Sequence, residues 1–396
     1  METIAPFRTF DRWLLIIVFA LMGFGALMVY SSTSVITPEK KNLTPFYYFL
    51  RYLLTMAVSL VMMVFAYRVK PRLLMKLSIP LLVLSFVLLI LVFVPGIGVT
   101  AGRATRWIRL GVMTFQPSEL AKLSMVIFIA SYMSSSGFKA ERFYSIAVPL
   151  SVMAVFQVMF LLQPDFGATV TLGILTVSML FISGIRLRYL LALLAMAVPV
   201  VLKLLMEPYR LKRITAFLNP WQDAQGSGFQ LVQSFIALGS GGLTGVGLGN
   251  GRQKLSFLPE VHTDFIFSIV GEELGFIIAA FVVFLFAFLF IRGVLIADKN
   301  STQPFIYYLS FGLTIMIAVQ ALMNFFVVTG LAPTKGLPLP FISYGGSSLL
   351  VNMTGIGILL NVSKAGHEKA MVNRLDGIED IMKLKRARRK VYGNVQ

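Results

Sequence analysis

GSGGLTGVGLGNGRQKLSFLPEVHTDFIFSIVGEELG, residues 239–275, crowds seven glycines into positions 239–251 ahead of an apolar run that begins at Phe265. Glycine at that density favours irregular backbone and close approach to a ligand. The apolar run reads as a long hydrophobic helix, so Asp264 falls at the seam between an irregular, basic segment and a membrane-length element. A carboxylate there lies at a membrane surface, a setting suited to chemistry on the head group of a lipid.

The rest of the chain extends that pattern. Of 396 residues, 57% are hydrophobic and 13% charged, against about 25% charged in a soluble domain. The expected fold is an all-α polytopic membrane protein, one bundle without a soluble domain or a long repeat. Runs of roughly 17–25 apolar residues mark spanning helices, and ten are read: about 13–31, 47–67, 77–95, 118–135, 145–163, 167–184, 188–206, 265–291, 305–329 and 344–362. The first follows Arg8 and Arg12 and is too long for a signal-peptide core. Only the Gln163-Pro164-Asp165 turn separates the fifth from the sixth. Absence of cysteine excludes disulfides, thiolate metal sites and a cysteine nucleophile.

An even number of spans puts both termini on one side. With that side cytoplasmic, more than half of the 35 Lys and Arg face inward, including the basic tail 363–396. The net charge of +18 therefore speaks for topology and anionic lipid. The KLKRARRK run of the tail reads as a lipid-facing patch, and no nucleic acid is expected. Basic residues in two outer loops, Arg103, Arg106 and Arg109 in one and Lys203 to Lys254 in the other, run against the charge rule. They favour an anionic ligand on the outer face over charges that topology merely tolerates. In the large outer loop 207–264, Leu211, Ile214, Phe217 and Leu218 oppose Arg210 and Arg213, the pattern of an interfacial amphipathic helix. Phe229 to Leu238 is apolar and too short to span, which fits a re-entrant or interfacial helix.

Ionisable groups inside spans are costly. Gln116-Pro117-Ser118-Glu119 opens the fourth helix, and Glu119 and Lys122 share a face. They form a bracing ion pair, a pair that also presents Lys122 to a phosphate, or both. Trp107 is an aromatic-belt anchor or, beside arginines, a platform for a sugar. Asp165 reads as a turn residue. Gln320 and Asn324, one turn apart, are expected to bond between helices. Glu272 and Glu273 occupy different faces, so at least one needs an internal partner. His262 and His367 are the only histidines, which excludes an HExxH site. GVGLGNG lacks the GK[ST] ending of a P-loop, and no GxSxG element occurs.

ATRWIRLGVMTFQPSELAKLS (104–124), LLQPDFGATV (161–170), the 239–275 stretch and TKGLPLPFISYGGSSLL (334–350) together resemble the SEDS family, the membrane glycosyltransferases of shape, elongation, division and sporulation. The resemblance runs through essentially the whole chain in the same order. GVGLGNGRQKL and APTKGLPLPFISYGGSSL look like the division member more than the elongation member. The resemblance implies ten helices and polymerisation of lipid II into glycan strands outside the bacterial cytoplasmic membrane, at the division septum. It implies a division-specific class B penicillin-binding protein, a transpeptidase, as partner, among other divisome membrane proteins. The family's essential acid matches Asp264, and its outer arginine and Glu/Lys pair match Arg106, Glu119 and Lys122. Lys335 joins the pyrophosphate-binding set, and Trp107, Glu119, Asp165, His262, Ser343 and Ser347 the supporting set. Two departures are mild: Thr105 precedes Arg106 where many members carry a second arginine, and the cytoplasmic termini are short.

That chemistry suits the residues. Undecaprenyl pyrophosphate is a good leaving group that needs charge stabilisation more than a general acid. One carboxylate base and several cations suffice, and a single displacement inverts the α-linked donor to a β-1,4 product. A helix N-terminus lowers the pKa of a carboxylate. Asp264 then orients the hydroxyl, accepts its proton late, or holds a divalent cation, Mg or Mn, on the pyrophosphate. A lipid II flippase would use the same cations without a base; a division scaffold would need neither.

Overall fold

The computed structural model describes residues 10–33, 46–101, 104–111, 113–189, 191–193, 195, 198–199, 206, 208–255, 258–259 and 261–364. Arg103, Lys203 and the basic tail beyond Lys364 lie outside them. The helices are α1 (Arg12–Thr33), α2 (Phe46–Arg68), α3 (Pro71–Lys76), α4 (Ser78–Leu91), α5 (Pro117–Met133), α6 (Phe143–Leu162), α7 (Phe166–Ile182), α8 (Pro208–Leu218), α9 (Phe229–Gly241), α10 (Ile266–Lys299), α11 (Pro304–Val328) and α12 (Gly346–Lys364). Described residues between 187 and 199 are helical as well.

Six of these, α1, α2, α6, α10, α11 and α12, are long and apolar enough to cross a membrane; α4 and α7 are shorter apolar helices. The bundle is layered by burial. α5, α11 and α12 form its middle, α11 packing on α5, α7 and α10. α2, α4 and α6 turn Leu50, Leu54, Phe65, Val83, Val155 and Val158 outward. A shell of exposed leucine, valine and phenylalanine around a helical core suits hydrocarbon as the solvent.

Among the described residues, the all-α expectation departs from the structure at one place. β1 (Gly98–Ala101), β2 (Ala104–Leu110) and β3 (Met113–Phe115) form an antiparallel sheet, in that order. The physical reason is local: Thr105, Trp107 and Ile108 prefer a pleated surface, and Gly111, at φ 59°, makes the turn between β2 and β3.

The opposite end of the bundle is pinned by polar contacts. Asp11 caps α1 by accepting from Leu14 N (3.0 Å), pairs with Arg292 of α10, and donates its own N–H to Ser363 Oγ of α12 (3.1 Å). Asn361 donates to Val69 O, and the Lys364 ammonium lies 3.4 Å from the Tyr67 ring centroid.

Candidate functional site

The glycine-rich stretch is not a free loop. α10 is interrupted at Gly275 (φ 77°, ψ −178°), and residues 242–247 fill the break. Val246 N and Gly247 N donate to Glu272 O and Glu273 O, each at 3.0 Å, while Phe276 N and Ile277 N donate to Gly242 O and Leu243 O. Four backbone groups beside the break thus find partners, as an apolar environment requires. A Cβ on Gly275 would sit 2.3 Å from Gly245 N, so only glycine admits this approach. Both acids before the break are satisfied internally. Glu273 takes Lys254 Nζ (2.7 Å), Ser31 Oγ (2.6 Å) and Gly249 N (3.1 Å); Glu272 takes Arg252 N (2.7 Å) and Gln253 N.

This brace delivers the chain to Asp264, at the start of α10. Phe265, not Asp264, occupies the N-cap position of the helix. The segment after α11 closes on the acid: a Cβ on Gly336 would lie 2.8 Å from Asp264 Oδ2, so glycine lets that backbone reach the carboxylate. The neighbouring Lys335 ammonium lies 4.7 Å from the centroid of Phe166. Burial lowers its pKa to about 8, an effect that the Asp165 carboxylate partly offsets. Arg213 of α8 donates to Thr334 O (3.1 Å), and Asn324 of α11 donates to both Asp264 O and Leu337 O at 2.8 Å.

A second group meets at the Gln163–Asp165 turn. Arg106 donates from Nε to Gln163 O (3.2 Å) and from Nη2 to Pro164 O. Asp165 caps α7 through Ala168 N (3.1 Å) and also accepts from Gln116 Nε2 (3.0 Å) and Ser118 Oγ (3.4 Å). It therefore ties the turn to the start of α5 and is more than a turn residue alone. Through the field of Asp165 on Lys335, the two groups form one polar end of the bundle.

Other expected site residues have partners of their own. Lys122 is buried with Glu119 at 2.8 Å, and Glu119 Oε2 has no hydrogen-bond partner. The buried ammonium gives one of its donors to that pair, which fits the bracing role. Trp107 lies on β2 opposite Val99. Thr105 pairs with Thr100, so Arg106 is the extra residue of a bulge between them, a device that re-aims a side chain. Ser343 Oγ accepts from Leu339 N (2.8 Å) and Ser347 Oγ from Gln116 N (2.8 Å). The serines hold the backbone of the 334–347 segment. His262 packs between Tyr48 and Tyr344, its ring tilted to both at 5.8 and 5.7 Å between centroids, and its carbonyl accepts from Tyr344 N (2.8 Å).

Sequence reasoning did not place Arg213, Asn324, Gly336 or Phe166 at the site. Asn324 was visible only as a polar residue within an apolar span, and Arg213 only as the polar face of an amphipathic helix. What recruits them is the return of residues 334–337 onto Asp264, a tertiary event with no local signature.

The fold and its polar end define an integral membrane protein that gathers an acid and several cations where its broken helix begins. The family described as cell cycle protein, which takes in FtsW, RodA and SpoVE, matches residues 12–368, and the chain belongs to it. The chain is 43% identical over 356 residues to the probable peptidoglycan glycosyltransferase FtsW of Geobacter sulfurreducens, covering 89% of this chain and 95% of that one. It is 40% identical over 359 residues to the protein of the same name from Coxiella burnetii, covering 90% and 96%. Among solved structures, a chain from work on the coordination of polymerization and crosslinking by a peptidoglycan synthase complex superposes with a TM-score of 0.74 at 28% identity, covering 90% and 98%. RodA, the rod shape determining protein of Thermus thermophilus, gives 0.65 at 26%, covering 91% and 98%.

Proposed function

We propose that this protein is a peptidoglycan glycosyltransferase of the division type, polymerising lipid II for the septal wall in the bacterial cytoplasmic membrane. The observation that carries the reading is the approach of Gly336 to the Asp264 carboxylate, with Lys335 as its neighbour. The names of the relatives support the same reading. The lipid II 4-hydroxyl attacks the anomeric carbon of the lipid-linked strand. The bond from that carbon to the pyrophosphate oxygen breaks, and its electron pair leaves with undecaprenyl pyrophosphate. Asp264 orients the hydroxyl and accepts its proton. Lys335 and Arg106 stabilise the charge that grows on the leaving group. Glu119 and Lys122 brace α5, while Asp165, His262, Ser343, Ser347 and Trp107 support the surrounding backbone. Among the described residues no three His, Cys, Asp or Glu side chains cluster as metal ligands. A Mg or Mn ion at Asp264 would then draw its other ligands from substrate oxygens.

The reading extends to ten spans, with both termini cytoplasmic and the sheet, α8 and α9 outside. The partner is a division-specific class B penicillin-binding protein; the peptidoglycan synthase complex among the structural relatives supports this, and co-purification after co-expression tests it. Other divisome membrane proteins follow from the division role.

Purified protein given labelled lipid II should make glycan polymer, and Asp264→Asn should not. Removing a general base lowers a rate by about 10²–10⁴-fold. Asparagine preserves size and a hydrogen-bonding oxygen, so the variant should fold and still bind lipid II. Near-parental polymerisation by well-folded Asp264→Asn would remove the catalytic assignment of Asp264, whereas a parent that makes no polymer would favour a flippase or scaffold.

A further inference from the structure

Asn324 is 1% exposed, near one end of α11. Its amide nitrogen donates to Asp264 O and to Leu337 O, each at 2.8 Å, so both N–H groups are spent on carbonyls from two different segments. Its Oδ1 has no hydrogen-bond partner and takes no share in the bridge. Gln320, one turn earlier, donates to Pro338 O (3.0 Å) and Ser348 Oγ (2.6 Å). It anchors the returning segment without touching the backbone of Asp264. Asn324 alone of the two amides holds both sides.

We propose that Asn324 is a positioning residue for the glycosyl transfer, setting the Asp264 carboxylate at a fixed distance from the Lys335–Gly336 segment; this rests on the glycosyltransferase reading above. A neutral NH₂ group suits the task because it offers two donors from one atom without bringing a charge into a dry interior. Aspartate, the same shape, would turn a third oxygen toward two carbonyls. The carboxylate is within contact of the Gly336 backbone, so a slip of either segment alters the distance between base and cation directly. Misplacement of reacting groups by about 1 Å can cost 10²-fold in rate.

The test uses the full chain with labelled lipid II, comparing Asn324→Leu, Asn324→Asp and Gln320→Leu with the parent. Asn324→Leu and Asn324→Asp should lower kcat by about 30–100-fold with KM for lipid II within about threefold. Gln320→Leu, which leaves the bridge in place, should lose less than about tenfold. Because the chain has no cysteine, spin labels at Pro259→Cys and Pro333→Cys can read the separation of the two segments without an activity assay. The distance distribution should be narrow in the parent and broad in both Asn324 variants, with Asn324→Asp replacing Asn324→Leu should the latter not fold. Parental kcat, a loss confined to KM, or an unchanged label distance in an Asn324 variant overturns the proposal. A parent that makes no polymer would instead overturn the glycosyltransferase reading, while the label distances still decide whether Asn324 sets the placement.

Discussion

At the scale of single residues, the site depends on a lysine whose charge is easily lost. Burial takes Lys335 down to a pKa of about 8, well below an ordinary lysine. The protonated form holds an anion, so its attraction for pyrophosphate is full below about pH 8 and fades as pH rises through that value. In the folding equilibrium the sign is opposite. Between the folded pKa and the higher unfolded one, the unfolded chain binds more protons, so this group adds stability as pH rises. Affinity for lipid II should therefore fall from pH 7 to pH 9 in the parent, whereas Lys335→Arg, charged throughout, should hold it level. Titrating lipid II binding across that range decides the matter; a parallel fall in both proteins would clear Lys335 of the role. Asp264 was legible in sequence because an acid at a glycine-to-helix seam stands out. The partners of Asp165 were not, because Gln116, Ser118 and Lys335 are distant in sequence and meet it only after α5, α7 and the returning segment pack.

Among the elements, the glycine-rich stretch and α10 behave as one piece. Its glycine density announced irregular backbone correctly, yet the run from Phe265 onward reads as continuous helix. Gly275 alone does not mark a break, since an isolated glycine is tolerated in helices. Only the docked 242–247 backbone, which supplies the missing hydrogen bonds, makes the interruption stable. The sheet at 98–115 hid for a different reason: its strands are short and carry arginines that read as loop. The brace beneath the broken helix is the buried Lys254–Glu273 pair, with side chains 1% and 0% exposed. Lys254→Met leaves Glu273 charged and poorly compensated, at a cost of about 3–5 kcal/mol. A clear drop in the thermal midpoint in detergent is the expected outcome. Lys254→Met combined with Glu273→Gln should regain part of it, since the stranded charge is gone. An unchanged midpoint for Lys254→Met would mean that backbone pairing alone holds the stretch in place.

For the whole molecule, hydropathy made the class legible, but pattern alone could not say which helices are central. α5 carries two charges and still lies in the middle, because Glu119 and Lys122 neutralise each other there. Orientation in the membrane is the remaining property of the whole, and charge supplies the argument. The end pinned by Asp11, Arg292 and Ser363 also carries Arg68, Lys70, Arg72 and Lys76 and leads into the basic tail, as a cytoplasmic face would. The opposite end carries the sheet, α8, α9 and the polar site, where an outward lipid head group would be met. Cysteines introduced at exposed Gln225 and exposed Lys299 of this cysteine-free chain separate the two orientations. Gln225 is preferable to Gly226, where a Cβ would fall 2.3 Å from Asp223 Oδ1. In intact cells a membrane-impermeant thiol reagent should label position 225 and spare 299. Labelling of 299 alone would invert the bundle and place Asp264 on the cytoplasmic side, where it could not build a septal wall.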